Sequence, residues 1–474
     1  MTTPSAHLPT TCDILIVGSG AAGLLAAYEA LRIRPGTRVV IVDAGLSLKE
    51  RPEATQSQMV GFGGAGLYLG GRLYLGPATI PVTQSVSAPP GQRPILDGAA
   101  YLEHARAVDD LFAELGATAT VRPAPEGALA DAVSAARDAG LEYVTSYPAR
   151  IIERTERLEV MRRLRERLEV AGAVFAFGLR VESVERADGG FRATLRPPLQ
   201  HESPPCHVLA ACVILAPGRY GAEWLVETAR GLGASVEPLP TAFGVRLEFA
   251  ADAYAPLTTV NPDPRLQLAL PDEDAVIKTY ATCPGGVVTP VCRYGALVAS
   301  GVPLPPDRRR QTTTFAALLQ PGYEGALGVW RGTDEITRAV NERSPRALIV
   351  QRLGDAFEGR ATDASTLRRD SPIQPTCLDA SPGALHDLYP PAYWSALEDL
   401  LTKIARLAPA LSWGDALAYG PAEERFWRFP TDDHLQTSAP GLFVSGDGPG
   451  QSQGVIQAGV AGLLAGRGAA ELLG

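Results

Sequence analysis

One segment limits the possible folds more than any other. Gly18-Ser19-Gly20-Ala21-Ala22-Gly23 lies between a short apolar strand, Cys12 to Val17, and an Ala/Leu-rich helix. A second apolar strand, Val39 to Val42, follows and ends at Asp43, with Ala44 beside it. Each glycine has a separate physical task. Gly18 allows the tight turn out of the strand, Gly20 lets backbone approach a pyrophosphate on the positive end of the helix, and Gly23 lets helix pack on strand. Asp43 stands about 20 residues on, where an acid takes the hydroxyls of an adenosine ribose and disfavours a 2′-phosphate. The order strand, glycine turn, helix, strand, acid predicts a parallel dinucleotide-binding unit.

A second signature stands at the other end of the chain. Gly441-Leu442-Phe443-Val444-Ser445-Gly446-Asp447-Gly448 leads into another small-residue helix. A first half alone indicates a dinucleotide. The two halves together indicate FAD, and so flavin redox chemistry. Neither half contains a histidine or cysteine, so non-covalent binding is expected. Cys12, where the first strand begins, is expected to be buried and away from the flavin.

Between these ends the pattern changes several times. Helices are expected over 99–116, 128–140 and 158–171, then an αβ region with a hairpin at Asp188-Gly189-Gly190 and an apolar strand from Val208 to Leu215. From Thr241 to Val302, short strands rich in Tyr, Val and Thr alternate with Pro/Gly turns, as in an antiparallel sheet. Helices are expected again over 334–341, 346–357 and 393–407. The simplest organisation is one domain interrupted by another: 1–240, with a helical segment near 95–145, then an insertion over 241–411, then a return over 412–474. At 474 residues the chain is long enough for both. A net charge of −9 argues against nucleic acid as a partner. Six scattered cysteines without CxxC spacing and six dispersed histidines suit a reducing cytoplasm and predict no metal site. Neither a membrane span nor a signal peptide is evident.

A series of motifs resembles one family, the bacterial FAD-dependent dehydrogenases of glutathione-reductase-like fold. The matching segments are GSGAAG at 18–23, GFGGAG at 61–66, GGRL at 70–73, APGRYG at 216–221, FGVRLE at 243–248, TCPGG at 282–286 and GLFVSGDGPG at 441–450. The resemblance implies an α/β protein. It would have a Rossmann-like FAD-binding domain of glutathione-reductase type and an inserted α+β cap domain containing an antiparallel sheet. It also implies a cofactor set. Gly18, Ser19, Gly20, Ala21, Ala22, Gly23, Asp43 and Ala44 would hold the ADP half. Gly63, Gly64, Ala65 and Gly66 would pass the pyrophosphate and flavin, with Arg72, Ala216, Pro217 and Gly218 nearby. Val181 would lie by the adenine. Gly446 and Asp447 would serve the ribityl or pyrophosphate side, and Gly454, Val455 and Ile456 would offer helix N-terminal amides to the flavin N1/O2 edge. Two departures stand out. Leu67 to Arg72 replaces an acidic or serine-rich stretch and a lysine, and Arg150 to Thr155 lacks the family's histidine.

Several residues have competing readings. Gly450-Gln451-Ser452-Gln453-Gly454 matches the GxSxG elbow of a hydrolase, but no histidine or aspartate follows Ser452. Cys283, read as lying in a turn, is either a thiol beside the flavin or a small buried residue; Cys292 could approach it across a hairpin. Arg246 alternates with apolar neighbours on a strand. It either points inward to hold an anionic group or turns outward to pair with Glu248. Arg293, Arg425 and His434 are weaker candidates. No second GxGxxG for NAD(P)H is evident. The expected activity is therefore FAD-dependent oxidation of a small molecule by hydride transfer to flavin N5, with Cys283 and Arg246 as the catalytic candidates. O₂ or an electron carrier would be the acceptor. The alternatives are a flavin-dependent C=C reductase or monooxygenase, or a binding protein whose flavin is structural or serves RNA modification.

Overall fold

The structure is a computed structural model. It describes residues 8–51, 60–69, 71–76, 96, 98–145, 147–198, 203–239, 241–293, 295–304, 306–322, 326–369, 371–450, 452 and 454–474. Gly70 of the GGRL motif, His201 and Glu202 of an expected loop, and Gln451 and Gln453 of the GxSxG motif lie outside these residues. The chain forms two compact units. One comprises 1–124, 146–238 and 427–474, the other 125–145 and 239–426.

The first unit is built on a seven-stranded sheet. Its parallel strands are Val174–Phe177, Val39–Asp43, Thr11–Val17 and Cys206–Leu215, with Leu442–Val444 beside the end of the last. The hairpin Arg180–Ala187 and Gly190–Arg196 extends the sheet antiparallel, through a turn at Asp188-Gly189. Every residue of the Val39 strand is buried, which is why its sequence is an unbroken apolar run rather than an alternating one. Cys12 lies inside the first strand, and its burial pushes the thiol up to about 12.

The first helix, Ala21–Ile33, packs along the C-terminal helix, Val455–Leu472. Both are strings of Ala, Gly and Leu because their backbones nearly touch. A Cβ at Gly462 would overlap the Ala22 carbonyl, and one at Gly466 would overlap that of Ala26. This crossing ties the two glycine-rich ends of the chain into a single core.

The second unit has an eight-stranded sheet in the order Ser381–Pro382, Ile349–Arg352, Leu417–Glu424, Ala242–Ala250, Thr312–Pro321, Ala275–Pro284, Leu266–Leu270 and Glu142–Tyr143. Val245, Leu247 and Phe249 face an apolar core with Tyr393, Leu397 and Leu400 of the helix Pro391–Leu407. The alternate residues Arg246 and Glu248 face the other way. Ala242, on that same face, packs with Val288 and Ala299 of a separate hairpin formed by Val287–Arg293 and Ala296–Val302.

Four expectations from sequence change here. The region 346–357 is not one helix: Ile349–Arg352 is a strand paired with Leu417–Glu424, and only Leu353–Phe357 is helical. Its Leu348-Ile349-Val350 run suits a buried strand. Residues 251–258, expected among strands, form a helix. The helix expected over 334–341 runs from Ala326 to Arg343. The boundaries at 240 and 411 also move. Leu417–Glu424 belongs to the second sheet, so the chain leaves that unit only after 426, and 125–145 joins it because Glu142–Tyr143 pairs with Leu266–Leu270.

The helix crossing gives a stability prediction. Gly466→Val forces a side chain into backbone and should cost about 1–3 kcal/mol, read as a lower urea midpoint of the holoprotein. Gly231→Ala is the control: nothing lies near its position, so the midpoint should hold or rise, by no more than about 1 kcal/mol.

Candidate functional site

In the first unit the glycine segments meet around the end of the first strand. Gly18 has φ +102°, and a Cβ there would overlap the Ala216 carbonyl. That approach brings Ala216, Pro217 and Gly218 against the turn. A Cβ on Gly23 would overlap the Gly18 carbonyl and stand 3.2 Å from Ile16 Cγ2, so only glycine lets the helix begin here. Ser445 N–H donates to the Leu215 carbonyl at 3.0 Å, and Gly448 lies against the Gly218 carbonyl. Gly446 packs on Ala22. The two ends of the sequence thus form one cradle.

The second glycine cluster joins the same place. Gly63 N–H donates to the Ser19 carbonyl at 2.8 Å, and Gly63 bridges to Gly20 as a strand would. Gly64 is so near that a Cβ on it would stand 3.0 Å from Gly20 Cα. Gly66 lies against Val455 at the start of the C-terminal helix. Ala65 falls between them.

Asp43 lies where the spacing predicts. Its Oδ2 accepts from Ser19 N–H at 2.8 Å and Ser19 Oγ at 2.7 Å, and its Oδ1 accepts from Gly45 N–H at 2.8 Å. The acid therefore holds the turn as well as facing the nucleotide end of the sheet. Leu179 N–H donates to the Asp43 carbonyl and Gly178 N–H to that of Gly45, which sets buried Val181 beside the end of the same strand; Ala44 is half-buried there. Asp447 is paired with Arg219, 2.7 Å from its Nη2. Arg72 lies on the strand Arg72–Tyr74, paired with Ala149–Ile151 and held to the C-terminal helix by Gln457, whose Nε2 donates to the Tyr74 carbonyl at 3.0 Å; among the described residues no hydrogen bond joins Arg72 itself to the glycine segments.

Arg219 and Arg51 were not foreseen. Arg219 sits within APGRYG, from which the sequence points only to Ala216, Pro217 and Gly218. Arg51 is buried. Its Nη1 donates to the Phe62 carbonyl at 2.6 Å and that of Gly64 at 3.1 Å, while its guanidinium stacks 3.8 Å from the Tyr68 ring. It holds the second glycine cluster from behind. No motif marks it.

The residues present fit FAD. Both helices that point into the cradle begin at a glycine, Gly20 and Gly454, with no side-chain cap and no acid in the first turn. Among the described residues no side chain caps their first amides, which an anion would suit. The hydroxyls of Ser445 and Ser452 are buried and have no hydrogen-bond partner among the described residues. An enclosed hydroxyl without a partner costs stability until something pairs with it. Among the described residues no base touches Ser452 Oγ.

In the second unit, Arg246 and Cys283 come together. Arg246 is only 2 % exposed. Its Nε and Nη2 donate to Thr314 Oγ1 at 2.9 and 2.6 Å, and Nη2 also donates to the Ala281 carbonyl at 2.8 Å and lies 3.4 Å from Cys283 Sγ. Arg246 does not pair with Glu248, whose oxygens accept from Thr312 Oγ1, Thr376 N–H and the Tyr419 hydroxyl. Cys283 is on the strand Ala275–Pro284, not in a turn, and burial pushes its thiol up despite Arg246. Cys292 is exposed on the other hairpin, and all six cysteines are free thiols. Arg425 is held by Asp334 and Glu423, and in the first unit His434 faces Glu471 at 3.4 Å. Arg293 ends the strand Val287–Arg293.

A family model described as an FAD binding domain matches residues 13–288, more than half of the chain. The chain belongs to this family. It uses FAD and is an FAD-dependent oxidoreductase. Solved structures similar to it include a 3-ketosteroid-Δ4-(5α)-dehydrogenase from Rhodococcus jostii RHA1 in complex with 4-androstene-3,17-dione, at 14 % identity over 99 % of each chain with a TM-score of 0.39. Glycine oxidase from Geobacillus kaustophilus is 14 % identical, covering 96 % of this chain and 94 % of its own, with a TM-score of 0.39. CtdE in complex with FAD is 14 % identical, covering 95 % and 82 %, with a TM-score of 0.34. At such scores these likenesses carry no chemistry over to this chain. No curated protein matches it in sequence. Among the described residues there is no cluster of metal-ligating side chains, and no helix is long and apolar enough to cross a membrane.

Asp43→Ala should lower FAD affinity by roughly one to two orders of magnitude, the loss of a charge-assisted hydrogen bond. Flavin released on dilution, read by fluorescence, measures this. Full occupancy in the variant at nanomolar protein would remove Asp43 from the nucleotide site.

Proposed function

We propose that this chain oxidises a small molecule, with the glutathione-reductase type of FAD binding in the first unit and the substrate held by the inserted second unit. The observation that carries the first part is the meeting of three glycine segments at one strand end, with two uncapped helix starts and two unpartnered buried hydroxyls among them. In this reading Asp43 takes the adenosine ribose, and the turn 18–23 with Gly63 to Gly66 takes the pyrophosphate. Val181 lines the adenine, and Ala216 to Gly218 with Gly446 and Asp447 flank the middle of the cofactor. Arg72 serves the flavin side only by its sequence position.

When bound, FAD supplies a two-electron acceptor for a hydride leaving a substrate carbon or nitrogen. The chain's own contribution is electrostatic and positional. Amides at Gly454, Val455 and Ile456 favour negative charge at the place they face. Arg219 holds the Asp447 carboxylate in one orientation. In the second unit, Arg246 and Cys283 belong to the substrate side, with Cys283 serving as a packed neighbour of the guanidinium and not as a nucleophile, because its thiol is buried and pushed up. O₂ or an electron carrier takes the electrons afterwards. Six free cysteines support a cytoplasmic setting.

Purified protein should be yellow and should release its FAD on denaturation. Colour that stays with the precipitated chain would show a covalent link. Anaerobic mixing with a panel of small metabolites should bleach the flavin with one chemical class, while NADH or NADPH alone should not. Fast bleaching by a pyridine nucleotide would replace this reading with a reductase or monooxygenase. Bleaching by nothing in the panel would favour a structural flavin. Cys283→Ser should leave the bleaching rate unchanged.

A further inference from the structure

We propose that Arg246 is the anchor of an anion subsite within the second unit, and that the substrate carries a carboxylate there. The inference deepens the oxidase or dehydrogenase reading above and rests on it for the word substrate; the subsite itself does not.

Three independent features of the unit point to it. The first is a charge without a contact partner. Arg246 is held in the sheet's interior, yet none of its contacts is a carboxylate. Its Nη1 makes no hydrogen bond among the described residues. A guanidinium keeps its charge in proteins, so burial without a contacting anion is costly unless a ligand supplies one. Two acids lie near it without touching it and balance part of its charge through space. Glu248 binds Tyr419, Thr312 and Thr376, and Asp263 accepts from Thr282 N–H at 2.9 Å.

The second feature is the backbone that aims it. The strand Ala275–Pro284 slips its register against Thr312–Pro321 between Tyr280 and Cys283. Within that bulge Ala281 has φ +51°, a left-handed conformation that disfavours a residue with a side chain. The result turns the Ala281 carbonyl onto Nη2. Thr282, next in the bulge, has a buried hydroxyl with no hydrogen-bond partner among the described residues. Strain of this kind persists where the surroundings hold it, and it gathers at ligand sites.

The third is room made by a missing side chain. A Cβ on Gly301, in the hairpin that covers this face, would overlap Nη2 and Cζ of Arg246. Thr314 Oγ1, the Ala281 carbonyl and the notch at Gly301 thus fix Nε and Nη2, leaving Nη1 as the donor that a ligand can meet. One guanidinium with no second cation among its contacts matches a single negative charge, so a carboxylate fits better than a phosphate dianion.

The test uses FAD-loaded protein and calorimetric titration with acetate, succinate and benzoate, each beside its neutral amide, with inorganic phosphate as a further probe. At least one carboxylate should bind at least tenfold tighter than its amide. Arg246→Met should weaken that binding by roughly ten- to a hundredfold, the range for a charge-assisted hydrogen bond, with FAD content unchanged. Arg246→Lys should recover part of it. Gly301→Ala, which displaces the guanidinium and keeps its charge, should also weaken it, and it covers the case in which Arg246→Met does not fold. Equal binding by acid and amide, equal binding by wild type and the variants, tighter binding of phosphate, or no binding at all would each overturn the subsite. Arg246-dependent binding of these probe acids would keep the subsite even where no carboxylate of the metabolite panel bleaches the flavin, an outcome that would sink only the reading of the bound acid as substrate.

Discussion

The close approach of Gly18 to Ala216 is the contact on which the first unit depends. Two parallel strands end side by side, and their loops must cross with no space for a side chain between them. Everything at the cradle follows from that crossing. It brings the turn 18–23 against 216–218, and Gly448 then reaches the same loop from the C-terminal segment. Asp43 closes the turn by bonding both backbone and hydroxyl of Ser19. A polar side chain from one strand end thereby fixes the backbone at the next. The two helices that begin there are locked by the Gly462 and Gly466 contacts further along.

The second unit solves a different problem with the opposite economy of residue types. Its central strand, Ala242–Ala250, is apolar on one face and carries Arg246 and Glu248 on the other. Each charged group is surrounded by threonine and tyrosine hydroxyls and by backbone carbonyl or amide groups. Such a polar layer is stable only when its members are satisfied together. The hairpin over it packs Val288 and Ala299 against this face of the sheet.

Much of the first unit was legible in the sequence because its constraints are local. Gly18, Gly20, Gly23 and Asp43 fall in one strand–helix–strand unit, so spacing alone sets their geometry. GSGAAG and GFGGAG were separately visible, but their bridge at Gly20 and Gly63 joins segments that no periodicity links. Arg51 was illegible for the same reason: its task is to bind carbonyls, and carbonyls leave no mark on sequence. In the second unit the alternation around Arg246 correctly gave a strand. Its partners did not follow, since Thr314, Ala281 and Gly301 come from other strands. Helical periodicity misled at 346–357, where a short apolar run fits either element and the neighbouring strand Leu417–Glu424 decides.

The small strand Glu142–Tyr143 has a consequence for how the molecule comes to exist. Because it closes the edge of the second sheet beside Leu266–Leu270, the chain passes between the units at 124, 145, 238 and 426. Neither unit is a continuous piece of polypeptide. Ile14 must wait for Cys212, and Val213 for Leu442, before the first sheet is whole. Pairings between such distant positions make folding slow and leave strand edges open meanwhile. A ribosome releasing this chain holds both sheets incomplete until Leu417–Glu424, and then Leu442–Val444, have emerged. The residues from Leu417 onward therefore act as a clasp on a nascent protein, and a truncation before Leu417 would leave two unfinished sheets rather than a shortened tail.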